Sequence, residues 1–481
     1  MYTLWHMESS NEGANPQIVE DSGANDRTAF VARNLDAYVQ ELSDFARIPS
    51  VSSQDTGIPE AARWLAQALR RRGVETQVLS AGGNPVVVGH VGHGDRTVLL
   101  YNHYDVQPPE PLDEWTSPPF EPTLRDGKLF ARGVIDDKGE IIARLAALDT
   151  LRERYGEDLP LRLTFFVEGE EESGSRTLET FIAQHCDLLS ADACIWEAGQ
   201  IDGEGRPQIW LGVRGLLFVE LCARTMRHDA HSGWAHALPS AAWRLVHALA
   251  TMRGEGDSIT VDGFDTGATG PTKRQRELLH AMPDEETTYR NEYGVDRFVA
   301  GRRGYALREA VFSPTCNISG LWAGHIESGH KTVLPATANA RLDFRLAPGQ
   351  DPQTVLQALR SHLARHGLGD IEVAPSGAAS TAACSDPDHP FIALTIDVLR
   401  EHYGKEPIVA PLVGGTGPAA HVVRHLGIPF AGIGCSYPGA CKHAPDENIR
   451  LEDFVRGASA IADLLERFSR YSSPLSKIAS V

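Results

Sequence analysis

The sequence predicts an α/β fold: a central, mostly parallel sheet flanked by helices, interrupted by an inserted α+β module. Three observations predict it. Helical and β patterns alternate over roughly the first 200 residues, long β runs replace them in the middle, and the alternation resumes after about residue 380. At 481 residues the chain is too long for one hydrophobic core. The predicted organisation is a tail over 1–28, a main domain in two parts, 29–210 and 379–481, and an inserted module over 211–378.

The elements follow in order. Val31, Leu35, Val39, Leu42 and Phe45 share one helical face, and Pro59–Arg72 forms a second helix stopped by Gly73. Short β-branched runs predict strands at Val74–Leu79, Pro85–Val91 and Arg96–Tyr101. Lys138–Tyr155 reads as helix, and Leu161–Val167 and Ala193–Glu197 as strands. In the middle, Gln208–Ala223 is a nearly continuous β pattern followed by the helix Pro239–Met252. Residues 254–310 are irregular and rich in glycine and charge. Ala338–Leu346 alternates as a strand, with helix Pro352–His366 and strand Ile371–Ala374 after it. The last part returns to helix Phe391–Tyr403, strand Ile408–Leu412, helix Ala420–Leu426, strand Pro429–Ile433 and helix Glu452–Tyr471.

Composition excludes several classes. A formal charge of −19 argues against nucleic acid, whose phosphates need a basic surface. No run approaches the roughly 20 apolar residues of a membrane span. The first residues lack an apolar segment of signal-peptide type. Seven scattered cysteines without a CxxC pair predict reduced thiols and a cytoplasmic setting.

Chemistry concentrates where strands meet loops, the usual place for a site in an open α/β sheet. Phe165-Phe166-Val167 runs straight into Glu168-Gly169-Glu170-Glu171-Glu172 and turns on Ser173-Gly174-Ser175. Ionised carboxylates after a buried strand are costly unless a cation meets them, and a metal ion is the simplest cation. Four more segments hold ligand-type residues. His103-Tyr104-Asp105 ends a strand, so that the Asp105 carboxylate can accept the second ring N–H of a metal-bound His103. Asp136-Asp137 precedes the Lys138 helix, where one aspartate caps and the other ligates, or both merely cap. Glu197 ends an apolar strand and reads equally as a surface residue. His443 lies in a loop that also reads as a solvated turn.

In this order the segments resemble the dinuclear zinc metallopeptidase family of aminoacylases, acetylornithine deacetylase, carboxypeptidases and dipeptidases. They most resemble its carnosinase and Cys-Gly dipeptidase branch. Asp113-Glu114-Trp115-Thr116-Ser117-Pro118-Pro119-Phe120 and Asp126-Gly127-Lys128-Leu129-Phe130-Ala131-Arg132-Gly133 are similar to that branch's lead-in to its bridging aspartate. The resemblance covers roughly residues 30–470. It implies two zinc ions (manganese or cobalt being the alternatives), one held by His103, Asp136 and Glu197, the other by Asp136, Glu172 and His443. It implies a cis peptide after Asp136 and Glu171 as general base. Glu168 and Glu170 are then supporting or surface groups.

The inserted module becomes a lid and dimerisation domain. Asp229-Ala230-His231-Ser232-Gly233 resembles the family's HSG motif, which implies that His231, rather than His228, reaches the partner's active site and binds the scissile carbonyl oxygen. Arg345 matches the arginine used against the substrate carboxylate, with Arg341 on the same face. Gly414-Gly415-Thr416-Gly417 stands where the family has a carboxylate-binding loop, Gly415 and Thr416 supplying donors. The branch generally has aspartate where this chain has Glu197, and glutamate there accompanies deacylase or carboxypeptidase action. The expected function is hydrolysis of dipeptides or short peptides with a free carboxylate, by a homodimer. The alternatives are an N-acyl-amino-acid deacylase or carboxypeptidase, and an inactive scaffold protein.

Overall fold

The computed structural model describes residues 23–197 and 199–471. The predicted tail lies outside them up to residue 22. From Gly23 onward it is instead the helix Gly23–Arg33, fastened by Arg27, whose Nη2 lies 2.7 Å from Glu466 and 3.1 Å from Asp463. The next helix, Leu35–Ala46, is separate, the chain breaking at Asn34.

Among the described residues the main sheet has nine strands. Its centre is parallel: Arg162–Glu168, Thr97–His103, Ala193–Trp196 and Phe430–Gly432 lie side by side in that order. Antiparallel strands Val86–Val91 and Glu75–Leu79 extend one edge. Beyond Phe430–Gly432 the other edge continues through Pro207–Trp210 to Ile408–Ala410, with Gln200–Ile201 attached. Helix Lys138–Tyr155 packs on one face and is buried almost all round, because helix Leu451–Ser469 covers its back. Even Lys138 is fully buried. Its Nζ donates to the carbonyls of Phe45 and Ile48, at 3.1 and 2.6 Å.

The inserted module holds a four-stranded antiparallel sheet, ordered Thr315–Ala323, Thr337–Leu346, Gly215–Arg224, Glu372–Pro375. Alternate residues of its central strands, such as Leu217, Leu221, Leu342 and Phe344, face helices Ala241–Thr251 and Pro352–Arg365 and form a second core. The period-2 burial is what one covered face predicts.

Two expectations are corrected. The β run Gln208–Ala223 is not one strand: Pro207–Trp210 belongs to the main sheet, Gly212–Val213 pairs with Ala383–Cys384, and Gly215–Arg224 starts the lid. The chain changes domains inside an unbroken apolar pattern, and glycine is the only mark it leaves. A Cβ on Gly212 would stand 2.6 Å from the Pro411 oxygen, and one on Gly215 2.6 Å from the Ser380 oxygen. The irregular stretch 254–310 contains helices Lys273–Ala281, Glu286–Tyr293 and Gly304–Glu309. The first opens with a reciprocal capping box between Thr272 and Gln275, a signal present in the sequence. Among the described residues no helix is long and apolar enough to cross a membrane.

Candidate metal centre

The parallel strands end at one edge, and their loops build the site. His103, the last residue of Thr97–His103, is buried. Its Nδ1 lies 3.0 Å from the carbonyl oxygen of Asp105, which leaves Nε2 facing carboxylates: Asp136 Oδ1 at 3.3 Å and Glu197 Oε2 at 3.8 Å. The second Asp136 oxygen is 2.7 Å from His443 Nε2, and that nitrogen is 3.3 Å from Glu172 Oε1. Asp136 therefore stands between two histidines, each with a further carboxylate beside it. Ligand-type atoms of His103, Asp136 and Glu172 lie within 4.8 Å of one another, as do those of His103, Asp137 and Glu197.

Glu172 Oε1 and Glu197 Oε2 are buried without a hydrogen-bond partner. Such oxygens are costly to bury unless a cation meets them. Imidazole and carboxylate are the donors zinc takes, so the donor set fits a pair of divalent cations. Burial pushes the Glu197 carboxyl well up and that of Glu171 to about 7, Glu172 and Asp136 adding to the second. The hydrogen bond to Asp136 and the adjacent Glu172 carboxylate raise the His443 imidazole to about 10.

Each ligand is held by its surroundings. The Asp105 carboxylate does not take the ring N–H of His103 as expected; its nearer oxygen is 3.4 Å from Nδ1. Those oxygens instead accept the backbone N–H groups of Glu171 and Glu172, at 3.2 and 3.1 Å. This pins the short 3₁₀ turn Glu171–Ser173, which follows the end of the strand at Glu168. Neighbouring strand residues would face opposite ways; the turn releases Glu171 and Glu172 from that rule. Glu168 and Glu170 are both buried supports. Glu168 accepts from Tyr101 and Ser175 at 2.6 and 2.9 Å, and Glu170 from Thr177 Oγ1 at 2.6 Å. Asp137 sits at the N-cap position without capping. Its carboxylate accepts from Asn102 Nδ2 at 2.6 Å and His103 N at 3.2 Å, and the Asp136–Asp137 peptide is cis.

Two residues carry roles that sequence reasoning missed. Buried Glu447 accepts from Arg132 at 2.7 Å and from the N–H groups of Gly133, Ile135 and Asp136, fixing the loop that presents Asp136. Its position within the His443 segment is the only sequence signal. Lys442 brings Nζ to 3.1 Å from Asp136 Oδ1.

A cavity of about 540 Å³ opens beside the cluster. Glu171 and Glu172 line one part of it, and Arg345 and Thr416 another, with Arg345 Nη1 donating to Thr416 Oγ1 at 2.6 Å. Arg341 points elsewhere, to Glu220 at 3.3 Å. Gly415 does not line this cavity; it faces the reverse side of its loop, and its carbonyl accepts the N–H of Arg214. His231 is not brought to the cluster by its own chain. It is exposed in the lid, its Nδ1 accepting from Gly233 N at 2.9 Å and its Nε2 3.3 Å from Thr332 Oγ1.

Residues 99–467 match peptidase family M20/M25/M40. The M20 family metallo-carboxypeptidase Sso-CP2 of Sulfolobus solfataricus superposes with a TM-score of 0.84 at 32% identity, covering 90% of this chain and 99% of that one. A cysteinylglycine-S-conjugate dipeptidase of Corynebacterium striatum is 28% identical over 94% of this chain and 99% of its own length. A Cys-Gly metallodipeptidase of Schizosaccharomyces pombe is 27% identical over 70% of this chain and 74% of its own.

Proposed function

The chain belongs to peptidase family M20/M25/M40, and we propose that it is a dizinc dipeptidase acting on dipeptides or short peptides with a free carboxylate. The observation that carries this reading is the single cavity holding both Glu171–Glu172 and the Arg345–Thr416 pair. A planar guanidinium suits a terminal carboxylate, because it gives two parallel N–H bonds. A substrate held there by its carboxylate lays its amide toward the acidic end.

In this reading His103, Asp136 and Glu197 would hold one ion, and Asp136, Glu172 and His443 the other. When bound, the metals supply Lewis-acid polarisation and a nucleophile at neutral pH. Glu171 takes the proton from the attacking water and passes it to the leaving amine. Asp105 keeps Glu171 aimed into the cavity through its backbone N–H, and Thr416 orients Arg345.

His231 completes the site from the lid of a second copy, donating to the oxygen that becomes negative. Support comes from its distance in kind: an exposed loop on one domain, with the cluster on another. The lid also offers a surface for pairing. Among the described residues strand Thr315–Ala323 has a free edge, and Ile318, Leu321 and Trp243 on that module are 48%, 53% and 65% exposed. All seven cysteines are unpaired, which supports a reducing, cytoplasmic setting.

A second reading, N-acyl-amino-acid deacylase or carboxypeptidase, is favoured by Glu197 and by the likeness to a metallo-carboxypeptidase. Both substrates share the carboxylate and differ in the free amine. The test is turnover of zinc-loaded protein on Cys-Gly and β-Ala-His against N-acetylated amino acids and longer peptides. Faster cleavage of the free-amine dipeptides supports the dipeptidase; preference for acylated substrates supports the alternative. No amidase activity in a folded, zinc-containing dimer would leave only a scaffold role.

A further inference from the structure

Behind the Gly414–Gly417 loop lies a second cavity of about 570 Å³. Gly414 and Gly415 wall it, as Thr416 and Gly417 wall the first. Its other walls are the edge of the main sheet and the three helices between residues 273 and 309. Much of the lining is apolar, with Trp210, Leu279, Leu307 and Leu412 among it.

The polar part is unusual. Arg214 is only 6% exposed, yet no carboxylate lies within ion-pair distance of it among the described residues. Of its three guanidinium nitrogens only Nη2 is bonded, to the carbonyls of Ser313 at 2.5 Å and Arg345 at 3.0 Å, and Nε is buried without a partner. Arg308 shares the lining. Its Nε is likewise unpartnered, while Nη1 donates to the Pro283 carbonyl at 3.2 Å and makes a long ion pair with Asp284 at 3.8 Å. The carboxylate in the wall, Glu285, is engaged by the Tyr289 hydroxyl at 3.1 Å. Two guanidinium groups thus belong to the lining of this cavity, Arg214 without a carboxylate partner and Arg308 with only the long contact to Asp284. A buried cation without a counter-charge costs several kcal/mol, and an entering anion removes that cost. Inorganic anions would leave the apolar wall in contact with water. The volume falls in the range of about 300–1,000 Å³ usual for small organic ligands.

We propose that this cavity is a second ligand site, for a small organic carboxylate with an apolar body. Its carboxylate pairs with Arg214 and Arg308, and its body lies against Trp210, Leu307 and Leu412. The site is separate from the one that takes the substrate carboxylate, although one loop walls both.

Calorimetry on the full-length, zinc-loaded protein tests this with phenylacetate, 2-phenylethanol and inorganic phosphate as probes. Phenylacetate is expected to bind at least tenfold more tightly than either the uncharged or the inorganic probe. Arg308→Met should weaken phenylacetate at least tenfold, and Leu307→Trp, which fills the cavity from a partly exposed position, should do the same. Arg345→Met should change it less than twofold. Binding lost in Arg345→Met and kept in Arg308→Met would put the carboxylate in the first cavity and overturn the proposal. Binding indifferent to both Arg308→Met and Leu307→Trp, phosphate binding as tight as phenylacetate, or no phenylacetate binding at millimolar concentration would overturn it equally.

Discussion

The acidic cluster at the end of the main sheet and the 227–236 loop of the lid both carry histidines, and they are built in opposite ways. In the cluster, His103 and Asp136 are buried, and the backbone around them is fixed by Asp105, Asp137 and Glu447. Two carboxylate oxygens are still left without a partner. In the loop, His228, His231 and His236 are exposed, each with its Nδ1 bonded to its own turn. Unsatisfied buried atoms mark a place where a ligand completes the chain. Exposed, locally satisfied groups mark a place that does nothing until another surface arrives.

The sharpest way to break this comparison is Glu171→Gln. It removes a base and no ligand, so turnover should fall about 10²–10⁴-fold while elemental analysis still finds both metals. A near-normal rate would show that the cluster does not carry the proton transfer. Next comes His231→Ala, expected to lower kcat about 10²–10³-fold with metal content and dimerisation unchanged. Mixing His231→Ala chains with Glu171→Gln chains should restore activity, since one site of each mixed dimer keeps both groups. If mixed dimers form and stay inactive, the loop serves its own subunit.

Glu447→Ala attacks the cluster's scaffolding. It strands Arg132 in the interior and frees three backbone N–H groups, so a loss of about 3–5 kcal/mol in a urea titration is expected, with weaker metal retention. Chelation should lower the melting temperature of the wild type and leave the lid's far-UV signal in place, because the orphaned carboxylates all lie in the main domain. The smallest effect is assigned to Thr416→Val. Without its hydroxyl Arg345 loses a 2.6 Å partner, and KM should rise about tenfold with kcat retained, a loss near 1.5 kcal/mol. A fall in kcat alone would mean that Thr416 acts on the chemistry and not on the carboxylate.

The two regions were also unequally legible. Residues of the cluster stand where strands end, and strand ends are visible as the close of an apolar run, as at Glu197 and His103. What holds them was not visible. Asp105 works through the backbone of a turn 66 residues away, and Glu447 through that of a loop 312 residues away; neither contact leaves a local pattern. Gly415 was misplaced because a glycine-rich loop has two sides and its sequence names neither. The three helices between 273 and 309 hid because their exposed faces are polar and charged, so that composition resembled a loop. For the lid histidine, sequence supplied a motif, and a single chain has no second copy to show where it goes.

The strand Phe430–Gly432 lies between Ala193–Trp196 and Pro207–Trp210, both of which precede it by more than the whole inserted module. On the ribosome, at about 5–20 residues per second, that gap stays open for many seconds while the whole inserted module is made. During that interval His103, Asp136, Glu172 and Glu197 have all emerged and His443 has not. On the proposed assignment the two metal positions would therefore be unequal in time as well as in ligands: one would have its full set early in synthesis, and the other would wait for nearly the last segment to arrive.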